Sequence, residues 1–171
     1  DHRGTVDHGG RVGGNAESLS AAAQVDRGRF RDADRLAVDE ACARIDLAAL
    51  KHNLAVARAH APRSRVLAVI KAEAYGHGLL RTARALSGAD GFALLDLADG
   101  LRLRQAGLRQ PIVLLEGFFS DDEIPAITAH RLTPVVHHRA QVQMLAAARL
   151  SRKLDVLLKL NTGMNRLGFH P

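Results

Sequence analysis

Five short apolar runs, separated by segments of helical periodicity and spaced about 20–24 residues apart, constrain this chain more than any other feature. The first run, Val66-Leu67-Ala68-Val69-Ile70, is rich in β-branched residues and has no polar residue on either face. That pattern predicts a strand buried on both sides. The other strands are predicted at Gly91–Leu95, Ile112–Leu115, Leu132–Val136 and Leu154–Leu160. Four helices are predicted between them, at Leu79–Leu86, Ala98–Gln105, Asp121–His130 and Arg139–Leu150. Ser120 or Asp121 is expected to cap the third of these helices. A further helix opens at Ile45-Asp46-Leu47 and ends before Pro62, with Leu47, Leu50, Leu54 and Ala57 at helical spacing. Strand–helix–strand repeats of this length imply parallel βαβ units. The fold class is therefore α/β, either an open doubly wound sheet or a (β/α)8 barrel. No GxGxxG follows the first strand, which argues against a dinucleotide fold. Five strands fall short of the eight a barrel needs, so a barrel here is expected to be partial, with about five of eight βα units.

Residues 1–41 break this pattern. Five glycines interrupt the first fourteen residues, and Arg27–Glu40 is dense in charge, so a largely disordered extension is expected ahead of an ordered domain over 42–171. The 171 residues carry a net charge of +6, with net −2 over residues 1–40 and +8 over the remainder. The basic residues are scattered, tryptophan is absent, and only six Phe and Tyr side chains could stack on bases, so no nucleic-acid partner is expected. A basic body suits a small phosphorylated ligand equally well. No apolar run is long enough to cross a membrane, and Asp1–Gly14 does not read as a signal peptide. The single cysteine, Cys42, excludes an internal disulfide and is consistent with a reducing, cytoplasmic setting.

Two segments carry chemistry. In Lys71-Ala-Glu-Ala-Tyr-Gly-His-Gly78 the lysine follows a buried strand directly. At the carboxyl end of a parallel strand that is where barrel active sites lie. Burial lowers an amine's pKa, and a neutral amine can attack an aldehyde. Tyr75 and a glycine-rich helix entrance at Gly76 and Gly78 could hold a phosphate. Together these groups suit pyridoxal 5′-phosphate (PLP). A strand-end lysine reaching solvent before an ordinary glycine-rich turn accounts for the same residues. In Leu157-Leu-Lys-Leu-Asn-Thr-Gly-Met-Asn-Arg-Leu-Gly-Phe169, alternation places Lys159 on one face with Leu157 and Asn161. Arg166 follows beyond a turn and could bind a phenolate or carboxylate. A snorkelling lysine and a surface arginine are the plainer reading.

Taken together, the two segments resemble the N-terminal part of bacterial alanine racemases, fold-type III PLP enzymes. That family carries Lys-Ala-Asn-Ala-Tyr-Gly-His-Gly after its first barrel strand. Lys71, Ala72, Ala74, Tyr75, Gly76, His77 and Gly78 match, while Glu73 stands where the family usually has asparagine. Lys159, Thr162, Gly163, Met164, Arg166, Leu167 and Gly168 match a second family segment on the fifth strand and its loop. The resemblance runs from about Ile45 to Pro171.

The resemblance implies a partial TIM-type barrel and the interconversion of L- and D-alanine. It makes Lys71 the Schiff-base lysine and one of two acid/base groups at the substrate α-carbon. Tyr75 would contact the cofactor phosphate. Arg166 would bind the cofactor phenolic oxygen and orient the substrate carboxylate. Lys159 would be carboxylated and position Arg166. His77 could support Tyr75 or the turn, and a ring packed at the helix start is expected rather than a catalytic role. A full-length parent is expected to be a homodimer with no metal. The family's opposite-face base is a tyrosine from the partner's C-terminal domain, and Tyr75 is the sole tyrosine here, so the 171 residues alone are expected to lack turnover. A racemase for another amino acid, or a non-catalytic remnant, are the alternatives. A reading frame that continues past Pro171 into further barrel strands would exclude the remnant. Strand alternation continued past Lys71 would put Lys71, Glu73 and Tyr75 on one side. An ionised Glu73 would then repel an anionic cofactor, and Glu73→Asn in a full-length parent would tighten PLP binding; the alternative is that the strand ends first and Glu73 is a solvated loop residue.

Overall fold

The computed structural model describes residues 43–171, and the extension expected over 1–41 lies outside them. Arg44–Pro171 forms one compact unit. Helix α1 spans Leu47–His60. Asp46 starts it by accepting N–H bonds from Ala48 and Ala49 at 2.8 and 3.1 Å, which satisfies two of the donors a helix start leaves open. Strand β1 (Leu67–Val69) leads into a short helical segment, α2 (Lys71–Tyr75), and then α3 (Leu79–Ala85). After β2 (Gly91–Leu94) come α4 (Leu97–Gln105), β3 (Ile112–Leu114), a 3-10 turn at Asp121–Glu123, α5 (Ile124–Ala129), β4 (Thr133–Val136), α6 (Arg139–Ala147) and β5 (Leu157–Leu158). The strands are shorter than the apolar runs that predicted them, most of all the fifth. At the third helix no side-chain cap forms on Ser120; instead Glu123 reaches back to the Phe119 N–H at 2.9 Å.

Every strand pair is parallel, and the spatial order is β1-β2-β3-β4-β5. This order separates the two architectures left open by the sequence. A doubly wound sheet reverses direction at a switch point, whereas a barrel adds each strand beside the last. The core agrees. Ile70, Phe92, Leu94, Ile112 and Leu114 pack with Leu79, Ala83, Leu103, Ile124 and Ile127 from the helices into one large cluster. Ala93, Val113 and Val135 form a separate small cluster. Register places these three on the opposite sheet face, the concave side of a barrel wall. The helices thus cover one face only, as in a singly wound (β/α) barrel segment.

One expectation fails at β1. Leu67 and Val69 are 41% and 53% exposed, so this strand is not buried on both faces. Its one ladder is to β2, and its concave-side residues have no facing layer among the described residues. The β-branched run foretold a barrel-interior strand, but burial of such a strand depends on the wall opposite it.

Candidate active site

Because all five strands are parallel, the segments after them collect at one end of the sheet. Lys71 follows β1, Glu116–Phe119 follow β3, His137 follows β4 and Lys159 follows β5. This is the end at which βα barrels place their chemistry.

The chain leaves β1 in an unusual way. Ala72, Glu73, Ala74 and Tyr75 all have φ between 51° and 54°, so α2 is a left-handed turn built without glycine. Left-handed helical geometry costs an L-residue roughly 1–2 kcal/mol, and consecutive residues rarely adopt it. The surrounding bonds hold it in place. The Ala74 N–H donates to the Ile70 carbonyl at 3.2 Å, the Gly78 N–H to Glu73 at 2.9 Å and the His77 N–H to Ala74 at 3.1 Å. Ala74 is buried in the main core, and the His77 ring Nδ1 lies 2.8 Å from the Ala74 carbonyl. His77 therefore packs at the turn.

The turn brings Lys71 and Tyr75 together. Lys71 Nζ lies 6.0 Å from the centroid of the Tyr75 ring, within reach of a cation–π contact. Lys71 is half-buried, and Tyr75 is 68% exposed with its ring at the surface.

Glu73 is not on that side. Its carboxylate accepts the Leu79 N–H at 3.0 Å and the Arg102 guanidinium, which also holds Asp99 at 2.8 Å. The Leu79 N–H bond, then Arg102 and to a lesser degree Arg81, hold the Glu73 carboxyl below the usual glutamate range. The strand has ended before Lys71, so the alternation that would aim Glu73 at a bound anion does not operate. The electrostatic basis for tighter PLP binding in Glu73→Asn is thereby removed. A second correction follows. The Gly78 and Leu79 N–H groups bond to Glu73, one to its carbonyl and one to its carboxylate, so this helix entrance is not an open phosphate cradle.

Lys159 is half-buried beside β4, its N–H donating to Val136 at 2.9 Å, and its side chain makes no ion pair among the described residues. The loop after it closes on itself. Phe169 N–H donates to the Lys159 carbonyl at 2.9 Å and Asn161 N–H to Phe169 at 2.7 Å. Asn161 Oδ1 accepts the N–H groups of Gly163 and Asn165 at 3.2 and 2.9 Å. Arg166 is exposed on this loop, across the sheet from Lys71, since β1 and β5 are its two edges. The fold thus pairs Lys71 with Tyr75 and sets Lys159 and Arg166 at the same end of the sheet, on its other edge.

The sequence reading missed Gln141. It is buried, and its amide Nε2 donates to the Glu116 and Phe118 carbonyls, each at 3.0 Å. Its Oε1 accepts the His137 and His138 N–H groups at 2.9 and 3.2 Å. One side chain thereby ties the loops after β3 and β4. The signal available was a glutamine three residues after His138, the spacing of a capping box, which the structure contains.

A lysine amine and a phenol held side by side suit an aldehyde-bearing aromatic cofactor such as PLP, whereas the α3 entrance does not add a phosphate site. Comparisons with known proteins give the family. Alanine racemase from Nitrosospira multiformis is 64% identical over 127 residues, covering 74% of this chain and 36% of that protein. Alanine racemase from Nitrosomonas eutropha is 55% identical over the same length, covering 74% and 35%. Among solved structures, the biosynthetic alanine racemase from Pseudomonas aeruginosa superposes with a TM-score of 0.72 at 41% identity, covering 74% of this chain and 36% of that one. The alanine racemase from Acinetobacter baumannii gives 0.68 at 41% identity, covering 73% and 38%. The chain spans about a third of the length of these relatives. The sequence pattern of the family described as "Alanine racemase, N-terminal domain" matches residues 45–171, and the chain belongs to that family.

Proposed function

We propose that residues 42–171 form the PLP-holding part of a cytoplasmic, homodimeric alanine racemase that interconverts L- and D-alanine. The observation that carries this reading is the Lys71–Tyr75 pair, on a motif residue pair shared with the family and held by a left-handed turn at the carboxyl end of β1. When bound, PLP supplies the electron withdrawal that makes the α-carbon hydrogen of an amino acid acidic. Lys71 holds the cofactor and, as its amine, takes or returns the α-proton on one face. Tyr75 donates its hydroxyl to the cofactor phosphate. Arg166 orients the substrate carboxylate through a charge-assisted bond, and a carboxylated Lys159 holds Arg166 in place. The proton on the opposite face would be handled by a group of the partner subunit.

Borohydride reduction of the chain mixed with PLP, followed by peptide mapping, tests the cofactor assignment. The expected result is a pyridoxyl label on Lys71. A label chiefly on Lys51, Lys153 or Lys159 would overturn it. Coupled D-alanine detection tests the substrate: turnover requires the complete dimer, and turnover by these 171 residues alone would refute the division of labour.

A further inference from the structure

Four consecutive non-glycine residues in left-handed geometry do not hold themselves. Backbone bonds close the turn at each end, but the side chain that spans it is Glu73. From inside the turn its carboxylate reaches the first N–H of α3, beyond Gly78, and the Arg102 guanidinium on α4. Arg102 is itself fixed by Asp99, one turn earlier on the same helix. The turn that carries Lys71 is thus tied both to the helix that follows it and to the helix of the next βα unit.

The tie matters for geometry more than for global stability. Both side chains of the pair are about half exposed, 46% for Arg102 and 52% for Glu73, and ion pairs in water contribute little to unfolding free energy. What the carboxylate fixes is the path of the backbone between Lys71 and Tyr75, two residues to either side of it. A long acidic side chain reaches both partners; the asparagine usual in the family has a shorter reach and a lower cost in left-handed geometry.

We propose that Glu73 is a positioning residue, whose bonds to the Leu79 N–H and Arg102 lock the left-handed turn and so set the Lys71 amine against the Tyr75 ring. Its importance for catalysis rests on the reading of Lys71 and Tyr75 as cofactor-binding groups, but the positioning itself is testable without cofactor. Tyr75 is the only tyrosine and there is no tryptophan, so tyrosine ring signals and tyrosine emission report on this site alone.

The experiment measures the NOE between the Lys71 side chain and the Tyr75 ring in the full chain, with competitive acetylation of Lys71 against Lys51 as a second readout. In wild type the NOE is present. In Glu73→Ala it is lost, in Arg102→Met, which leaves the Leu79 bond, it is weakened, and in both the Lys71/Lys51 labelling ratio shifts by about twofold or more, while the far-UV spectrum and denaturation midpoint stay near wild type. Glu73→Gln, which keeps an acceptor for Leu79 but no charge for Arg102, falls between. An unchanged NOE and labelling ratio in both variants overturns the proposal, as does absence of the NOE in wild type. Unfolding of both variants also overturns it, because Glu73 would then support the whole fold rather than this turn. If the NOE behaves as expected and borohydride traps no PLP on Lys71, the cofactor reading fails and the positioning role stands.

Discussion

Gly117 and Gln141 approach so closely that a Cβ on the glycine would lie 2.7 Å from Nε2 of the glutamine and 2.3 Å from the Val135 carbonyl oxygen. Gly117 also has φ +74°, where a side chain is strained regardless of space. Gly117→Ala is therefore expected to destabilise the chain by roughly 2–4 kcal/mol. Gln141→Leu removes the partner of two carbonyls and two N–H groups and is expected to cost about 2–3 kcal/mol. Urea denaturation midpoints check both. A loss below about 0.5 kcal/mol in either variant would mean that the loops after β3 and β4 do not depend on this contact.

Asp90 and Glu73 are exposed carboxylates whose folded-state bonds make a small contribution to stability on the acid side. Asp90 accepts the Val66 N–H at 2.8 Å and Arg58 at 2.9 Å, and these hold its carboxyl below the usual aspartate range, as Leu79 and Arg102 do for Glu73. A carboxyl lowered by folding stabilises the native state fully above its unfolded pKa. It loses that contribution as the pH falls toward and through its folded pKa. Stability contributed by these groups should therefore be flat at neutral pH and decline as the pH falls through the ordinary carboxylate range toward the lower folded pKa values. Asp90→Asn and Glu73→Gln should each make that decline shallower. A decline that begins near pH 6 and is unchanged in both variants would implicate other groups.

Thr82 is 3% exposed, and its hydroxyl finds no hydrogen-bond partner among the described residues. A buried donor without a partner forfeits its hydration and receives nothing in return. Thr82→Val keeps the shape and should raise stability by about 1 kcal/mol. A thermal midpoint lower than wild type would show that the hydroxyl is satisfied in solution.

The two edge strands expose apolar residues, with Val69 at 53%, Leu157 at 47% and Leu158 at 62%. Open edges of parallel sheet with such residues template association between chains. The 171-residue polypeptide is expected to self-associate with rising concentration, and Leu158→Lys is expected to reduce this. Light scattering that is independent of concentration for the unmodified chain would refute the expectation.

The sequence by itself determined the α/β class, the five strands and the longer helices in their order, and the two motif segments with Lys71, Tyr75, Lys159 and Arg166; the short left-handed segment Lys71–Tyr75 was not legible in it. It did so because strand and helix periodicities differ and because glycine and proline mark the breaks between them. The helix at Leu47–His60 was legible from its apolar spacing and the proline beyond it. Tertiary structure decided what depends on contacts far apart in the chain. Strand order selected the barrel-type sheet over the doubly wound one, since both architectures share one local pattern. Exposure of Leu67 and Val69 was set by what faces β1, not by their own apolarity. Above all, Glu73 left the side of Lys71 because Ala72–Tyr75 turn left-handed. Local propensity disfavours that conformation, and bonds to Leu79 and to Arg102, 29 residues on, help hold it.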